Sequence, residues 1–165
     1  VNEKEIKQEL ITWMTDFVEK PNALLGDWAP CPYARQARQK NKIDIQITDP
    51  DSLQLTITEN LPQLETFDAI IIALDHNLID SNMLADVCND LNDALMPLDY
   101  VVLEDHPHVE ENVNGVHMNF GKCALVILQK LSKLNNASAR LKEQGYYDQW
   151  SEDDLNFVVN WRLNK

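Results

Sequence analysis

The chain is short of basic residues, of cysteines and of long apolar runs. Lysine and arginine number 14 against 27 aspartates and glutamates in 165 residues, leaving a formal net charge of −13. A surface of that sign repels phosphate, which argues against a nucleic-acid backbone or an anionic membrane as the main partner. Three cysteines, Cys31, Cys88 and Cys123, are an odd count with no Cys-x-x-Cys pair. That argues against a secreted disulfide framework. No apolar run nears the roughly 18 residues that cross a bilayer. The opening Val1-Asn2-Glu3-Lys4-Glu5 does not read as a signal peptide. The expectation is a soluble protein in a reducing, cytoplasmic setting. Repeats, low-complexity tracts and linkers are missing too.

What is there fits one globular domain over residues 1–165. A chain of this size buries roughly 70% of its unfolded surface and needs no staple. Asn2 followed by Glu5 reads as a capping pair, and Ile6, Leu10, Trp13, Met14 and Phe17 recur at helical spacing. Cys31-Pro32 reads as the cap and first residue of a short basic helix carrying Arg35, Arg38, Lys40 and Lys42. Ile43, Ile45 and Ile47, then Leu53, Leu55 and Ile57, alternate with polar residues around Asp49-Pro50-Asp51-Ser52. That pattern predicts an antiparallel hairpin with one wet face. Ala69 to Leu74 predicts a buried central strand, Asp80 or Ser81 caps a helix, and Tyr100 to Leu103 predicts the next strand. A unit of that length favours a parallel crossover. Leu125, Leu128, Leu131 and Leu134 favour a helix over Cys123 to Leu134, although Ala124 to Leu128 alone also suits a strand. Ser151 and Asp154 open a last helix. The fold expected is α/β (α+β), a two-layer sandwich. Its sheet is mixed, of about four or five strands, with helices mainly on one face.

Four features carry candidate chemistry. A thiol at a helix start is lowered in pKa by the orphan N–H groups, so Cys31 is a candidate nucleophile. Arg35 and Arg38, on one face of that helix, are candidate anion binders beside Tyr33. A buried inert thiol with surface ion pairs is the plainer alternative. Glu104-Asp105-His106-Pro107-His108 lies just past a strand's carboxyl end, where α/β sheets place ligands. His106 is a candidate acid or base there. Glu104, His106 and His108 are candidate metal ligands, with Asp105 or His117, although no firm ligand spacing supports them. Asn119 and His117 follow the Asn114-Gly115 turn and could bond a ligand or satisfy loop backbone. Trp28, Tyr33, Tyr146, Tyr147, Trp150 and Trp161 suggest either a partner groove or ordinary packing. No pattern fixes a cofactor or a reaction.

Two resemblances arise from these residues. Cys31-Pro32-Tyr33 resembles the active-site start of glutaredoxins, with Ala34 in place of the second cysteine. Leu24 to Pro30 does not read as the strand that a glutaredoxin places before that cysteine. The order Pro30-Cys31-Pro32-Tyr33-Ala34, His106-Pro107, then Asn119 ahead of Leu125 to Ser138 is similar to that of an uncharacterised bacterial family. That family carries Leu-Cys-Pro-Phe-Ala, His-Pro and Asn-Arg-Ser-Pro segments. Here Phe120-Gly121-Lys122 stands where it has Arg-Ser-Pro. The resemblance implies that the Cys-Pro and His-Pro segments share one site. The expected function is a small enzyme or ligand-binding domain, its pocket lined by Cys31, Arg35, Arg38, His106 and Asn119 and suited to an anionic small molecule. The alternatives are an acidic domain that meets a protein partner, or a metal-binding protein using the Glu104–His108 loop.

Overall fold

Asn2 opens the first helix as its sequence suggests, its side chain accepting the Glu5 N–H at 3.2 Å. The structure, a computed structural model, describes residues 2–163. Helix α1 (Glu3–Trp13) buries Ile6 and Leu10 and widens into a π turn over Met14–Val18. Helix α2 (Ala34–Gln39) leads into strand β1 (Ile43–Ile47). Helix α3 (Leu53–Asn60) and strand β2 (Ala69–Leu74) follow. Next come helix α4 (Ser81–Leu95), capped by Asp80 through the Met83 N–H at 2.8 Å, and strand β3 (Tyr100–Asp105). A short ribbon, β4 (Asn112–Val113) and β5 (Val116–His117), turns at Asn114 and Gly115. Both turn residues have positive φ, the backbone that a two-residue hairpin demands and that Asn-Gly supplies. Strand β6 (Ala124–Lys130), helix α5 (Leu131–Glu143) and helix α6 (Glu152–Val158) complete the chain.

The main sheet has the order β1-β2-β6-β3 and is mixed. Strand β1 runs parallel to β2, Ile45 opposite Ile71. Strand β6 is antiparallel to both β2 and β3, Val126 opposite Ile72 and Ile127 opposite Leu103. The expected β2–α4–β3 unit therefore keeps its parallel sense, with β6 inserted between its strands. One face of the sheet packs under α3 and α4, with Leu53, Ile57, Leu84 and Cys88 on Ile70, Ile72, Val102 and Val126. The other face meets α1, where Ile6, Leu10 and Met14 cover Ile71, Ala73 and Leu125. No helix among the described residues is long and apolar enough to cross a membrane.

Two expected elements take another form. Leu53 to Ile57 is helix, not the second strand of a hairpin. Asp49-Pro50-Asp51-Ser52 is a helix start. The Asp49 side chain accepts the Ser52 N–H at 2.9 Å, and Pro50 occupies the first turn, where its missing N–H costs nothing. Leu53 and Ile57 are four apart and both buried, while Leu55 points to solvent. The polar face of β1 is accordingly half-buried under α3. Gln46 exchanges two amide hydrogen bonds with Asn60 of α3, at 2.7 and 2.8 Å. The second difference is Ala124 to Lys130, which is strand rather than helix. It is flanked on both edges and covered on both faces, so an unbroken apolar run satisfies it.

Candidate functional site

Cys31 does not sit on a helix N-terminus. Helix α2 begins three residues later, at Ala34, and Tyr33 caps it without a side-chain bond. No strand precedes Cys31; the chain arrives through a short 3-10 turn and a bridge between Asn22 and Trp28. That removes the glutaredoxin context. Cys31 presents an exposed surface, but its sulfur is crowded. Crowding raises its pKa, and the Glu19 charge adds to this against the Tyr33 and Ala34 N–H groups. Both act against the thiolate that an activated cysteine needs.

Arg38 is likewise committed. Its Nε and Nη2 clasp the Glu19 carboxylate at 2.7 and 2.9 Å, and the Glu19 side chain is only 5% exposed. This bidentate pair holds α2 against the end of α1. Arg38→Met should lower stability by about 2 kcal/mol, because a desolvated Glu19 loses both donors. Urea denaturation measures it, and a loss under about 0.5 kcal/mol, as for an exposed pair, would contradict the assignment. Arg35 is exposed, and Tyr33 lies beneath the Arg140 guanidinium at 5.8 Å.

The aromatic residues near Cys31 pack on one another. Trp28, Tyr147 and Trp150 all surround Tyr146, with ring centroids 4.8 to 5.6 Å from it. The Tyr146 hydroxyl donates to the Pro30 carbonyl at 2.8 Å, tying the Cys31 approach to the end of α5. This is a tether, not an open groove.

The titratable groups gather elsewhere, where β2 and β3 end. His106 is 3% exposed. Its Nδ1 accepts the His108 N–H at 3.1 Å, so the ring proton sits on Nε2 and is donated to the Ile79 carbonyl at 2.9 Å. Both nitrogens are occupied, which fits His106 to hold the loop rather than to exchange protons. His76 and His108 stand edge-on to it, the three ring centroids 5.1 to 6.1 Å apart. The His76 Nδ1 is enclosed and has no hydrogen-bond partner.

Asn119 is the bracket of this region. Its amide nitrogen faces Asp105 Oδ1 at 2.7 Å, the Val109 carbonyl at 2.8 Å and the His106 carbonyl at 3.2 Å. Its carbonyl accepts the Glu111 N–H at 2.8 Å. The other oxygen of Asp105 accepts the Phe120 N–H at 2.9 Å. Burial nonetheless raises the Asp105 pKa against these donors and the charge of His117. Burial also raises Glu104, with the Asp86 charge adding to it. Glu111, which sequence reasoning passed over, is pushed up to about 7 by burial and by the charges of Asp105 and Glu104. His117 is exposed and lies 3.7 Å from an exposed Glu110 carboxylate.

Beside this group a cleft of about 190 Å³ opens where β1 and β2 end. Its floor is buried and apolar: Ile6 of α1, Ala73 and Leu74 of β2, and Cys123. Its rim is Thr48, Asp49, Asp75 and the exposed Leu78. Burial holds the Cys123 thiol up at about 12, with the charges of Asp105, Glu9 and Asp75 adding to this. A larger depression of about 490 Å³ over Glu3, Lys7 and Ile11 has walls from α1 alone and is open helix surface.

The sequence-derived residues therefore divide. His106, His108 and Asn119 come together at the carboxyl edge of the sheet. Cys31, Tyr33, Arg35 and Arg38 belong to α2 and its approach. The Cys31 N–H bonds the Val18 carbonyl, and its thiol lies within electrostatic range of Glu19, Tyr146 and Tyr147, whereas His106 bonds Ile79, His108 and Asn119 and packs on His76. Among the described residues no three His, Cys, Asp or Glu side chains are placed to hold a metal ion. Glu104, His106 and His108 thus do not form the metal site considered from the sequence. A signal for the missed residues was present. The apolar runs of β1, β2 and β3 end in polar residues, Thr48-Asp49, Asp75-His76 and Glu104-Asp105-His106, and the first two ends share the cleft while His76 packs on His106. No protein-family model, curated protein or solved structure matches the chain.

Proposed function

We propose that this chain is a small-ligand-binding domain with its site at the carboxyl edge of the main sheet. The observation that carries the reading is the cleft at the ends of β1 and β2, walled by α1 and floored by Cys123. Crevices beyond the carboxyl ends of strands are where open α/β sheets receive ligands. Beside the cleft, Glu111, its carboxyl pushed up to about 7, could serve as a proton donor or acceptor, held in place by the Asn119 bond to its N–H. Three free cysteines support a reducing, cytoplasmic setting as part of the same proposal.

A fragment mixture titrated into the 15N-labelled chain tests this. Amide shifts are expected to concentrate at Thr48, Asp75, His76, Leu78 and Cys123. Shifts gathered at Cys31 to Arg38, or absent throughout, would defeat the proposal. A second reading, an acidic protein-interaction domain, draws on exposed Phe157 and Met83 beside the net charge of −13. It would gain from shifts confined to α6 and α4 on adding a basic peptide.

A further inference from the structure

The cleft has features that select what it can hold. Its volume of about 190 Å³ is below the roughly 300–1,000 Å³ of sites for drug-sized ligands, so the occupant is small. Its floor offers hydrocarbon and a thiol that burial keeps protonated. Among the described residues no lysine, arginine or histidine lines it, while two carboxylates do.

Those carboxylates are not equivalent. Both oxygens of Asp49 are taken up by Ser52, through its N–H at 2.9 Å and its hydroxyl at 3.3 Å. Asp75 uses only Oδ1, which accepts the Asn77 N–H at 2.9 Å and the Asn77 amide at 3.0 Å. The Asn77 donors, with the charge of the neighbouring His76, lower the Asp75 pKa and favour its ionised form. Among the described residues no hydrogen bond reaches its Oδ2, and Asp75 lines the mouth of the apolar cleft. Thr48 donates or accepts only within a pair with Thr56, at 3.0 Å, and so adds no charge of its own.

We propose that the cleft binds a small primary alkylammonium ion, its nitrogen on Asp75 Oδ2 and its hydrocarbon body on Ile6, Ala73, Leu74 and Cys123. This rests on the reading of the cleft as a ligand site and names the ligand class. A carboxylate at the mouth favours a cation, and an apolar floor favours a short chain over a bare metal ion. Among the described lining residues an anion meets two carboxylates and no side chain of positive charge. The ligand class is thus opposite in sign to the one suggested by Arg35 and Arg38.

The experiment uses the full chain at pH 7 and low salt, followed by 15N NMR, with n-butylammonium, n-butanol and butyrate as probes. Saturable shifts at Asp75, Leu78 and Cys123 with butylammonium, and none with butyrate, are expected. From ethyl- to butylammonium each added methylene should tighten binding about fourfold. Asp75→Asn, nearly isosteric at the half-buried rim, should weaken butylammonium at least tenfold while leaving the free spectrum native. The wild-type probe comparison stands without any variant. If butanol binds as well as butylammonium and Asp75→Asn is neutral, the cleft is a ligand site and the amine assignment is wrong. If none of the three probes shifts these amides, both the assignment and the cleft reading fall. Shifts spread over acidic residues without saturation mean counter-ion association and also overturn the proposal. Nα-acetyl-lysine amide separates two sources of the same group. Binding equal to butylammonium supports a protein lysine side chain as the donor of the cation, and exclusion supports a free amine.

Discussion

Replacing Asn119 by alanine is expected to lower folding stability by about 3 kcal/mol, the largest effect of any single polar truncation at the carboxyl edge. The side chain is buried and bonds four groups from three places in the chain: Asp105 at the end of β3, His106 and Val109 in the following loop, and Glu111 beyond it. Alanine would strand the Glu111 N–H and one oxygen of a buried Asp105. A charge-assisted bond at 2.7 Å is the stronger loss, and an orphaned buried N–H adds about 1–3 kcal/mol. Little compensates, because the methyl group of alanine cannot reach any of the four partners. The consequence is also local. His108, Val109 and Glu111 amides should exchange with solvent far faster, since their loop would lose its anchor to β3. Urea denaturation gives the first quantity and hydrogen exchange the second. A loss below about 1 kcal/mol would mean that water replaces Asn119 readily and that the loop is held by His106 alone. Asn119→Asp is the sharper variant. It keeps the shape, removes the donor and sets a second carboxylate against Asp105, so it should be at least as damaging as alanine.

What could be read from the sequence was what neighbours in the chain decide. The caps of α1, α4 and α6 lie within three residues of the N–H groups they satisfy, and Asn2, Asp80 and Ser151 all perform as expected. Strand β2 was legible because an unbroken apolar run bounded by polar residues admits few other forms. Leu53 to Ile57 was not, because five residues of alternating polarity also place Leu53 and Ile57 one helical turn apart. The decision rests on whether Asp49 caps a helix or turns a hairpin, and Gln46 with Asn60 settles it from outside the segment. The start of α5 is the clearest non-local case. Its first turn is capped by Asp99, which accepts the Ser132 N–H at 2.8 Å and its hydroxyl at 2.6 Å from 33 positions away. Nothing between Cys123 and Leu134 announces that break, so a leucine every third residue read as one helix. The site divides in the same way. His106, His108 and Asn119 stood out because they follow a strand, but their roles depend on Ile79 and Asp105. The cleft draws on four separated segments, and Cys123 contributes only because β6 is a strand.

The second large effect concerns pH. Glu111→Gln is expected to stabilise the protein at pH 8 and to do nothing at pH 4. The Glu111 carboxyl titrates at about 7 in the folded chain against an ordinary 4.5. Between those values the folded state holds a proton that the unfolded state has released, so stability falls as pH rises. The whole penalty is in place above pH 7 and absent below 4.5. A displacement of 2.5 pH units amounts to about 3 kcal/mol at most, at 1.36 kcal/mol per unit. Asp105 and Glu104 are also raised, chiefly by burial, and each contributes with the same sign. On the facing segment the charge of His117 opposes this at Asp105. Asp75, lowered by Asn77, acts in the other direction, losing stability as pH falls through its own range, and so marks the acid limb. The wild type should therefore be most stable on the acid side of neutrality. Glutamine at 111 removes the charge while keeping the shape, and should flatten the curve between pH 4.5 and 7. Denaturation midpoints of the two proteins across pH 4 to 9 measure the difference directly. Parallel curves would show that Glu111 is solvated and ionised like a surface residue, and would remove it from the acid–base group beside the cleft.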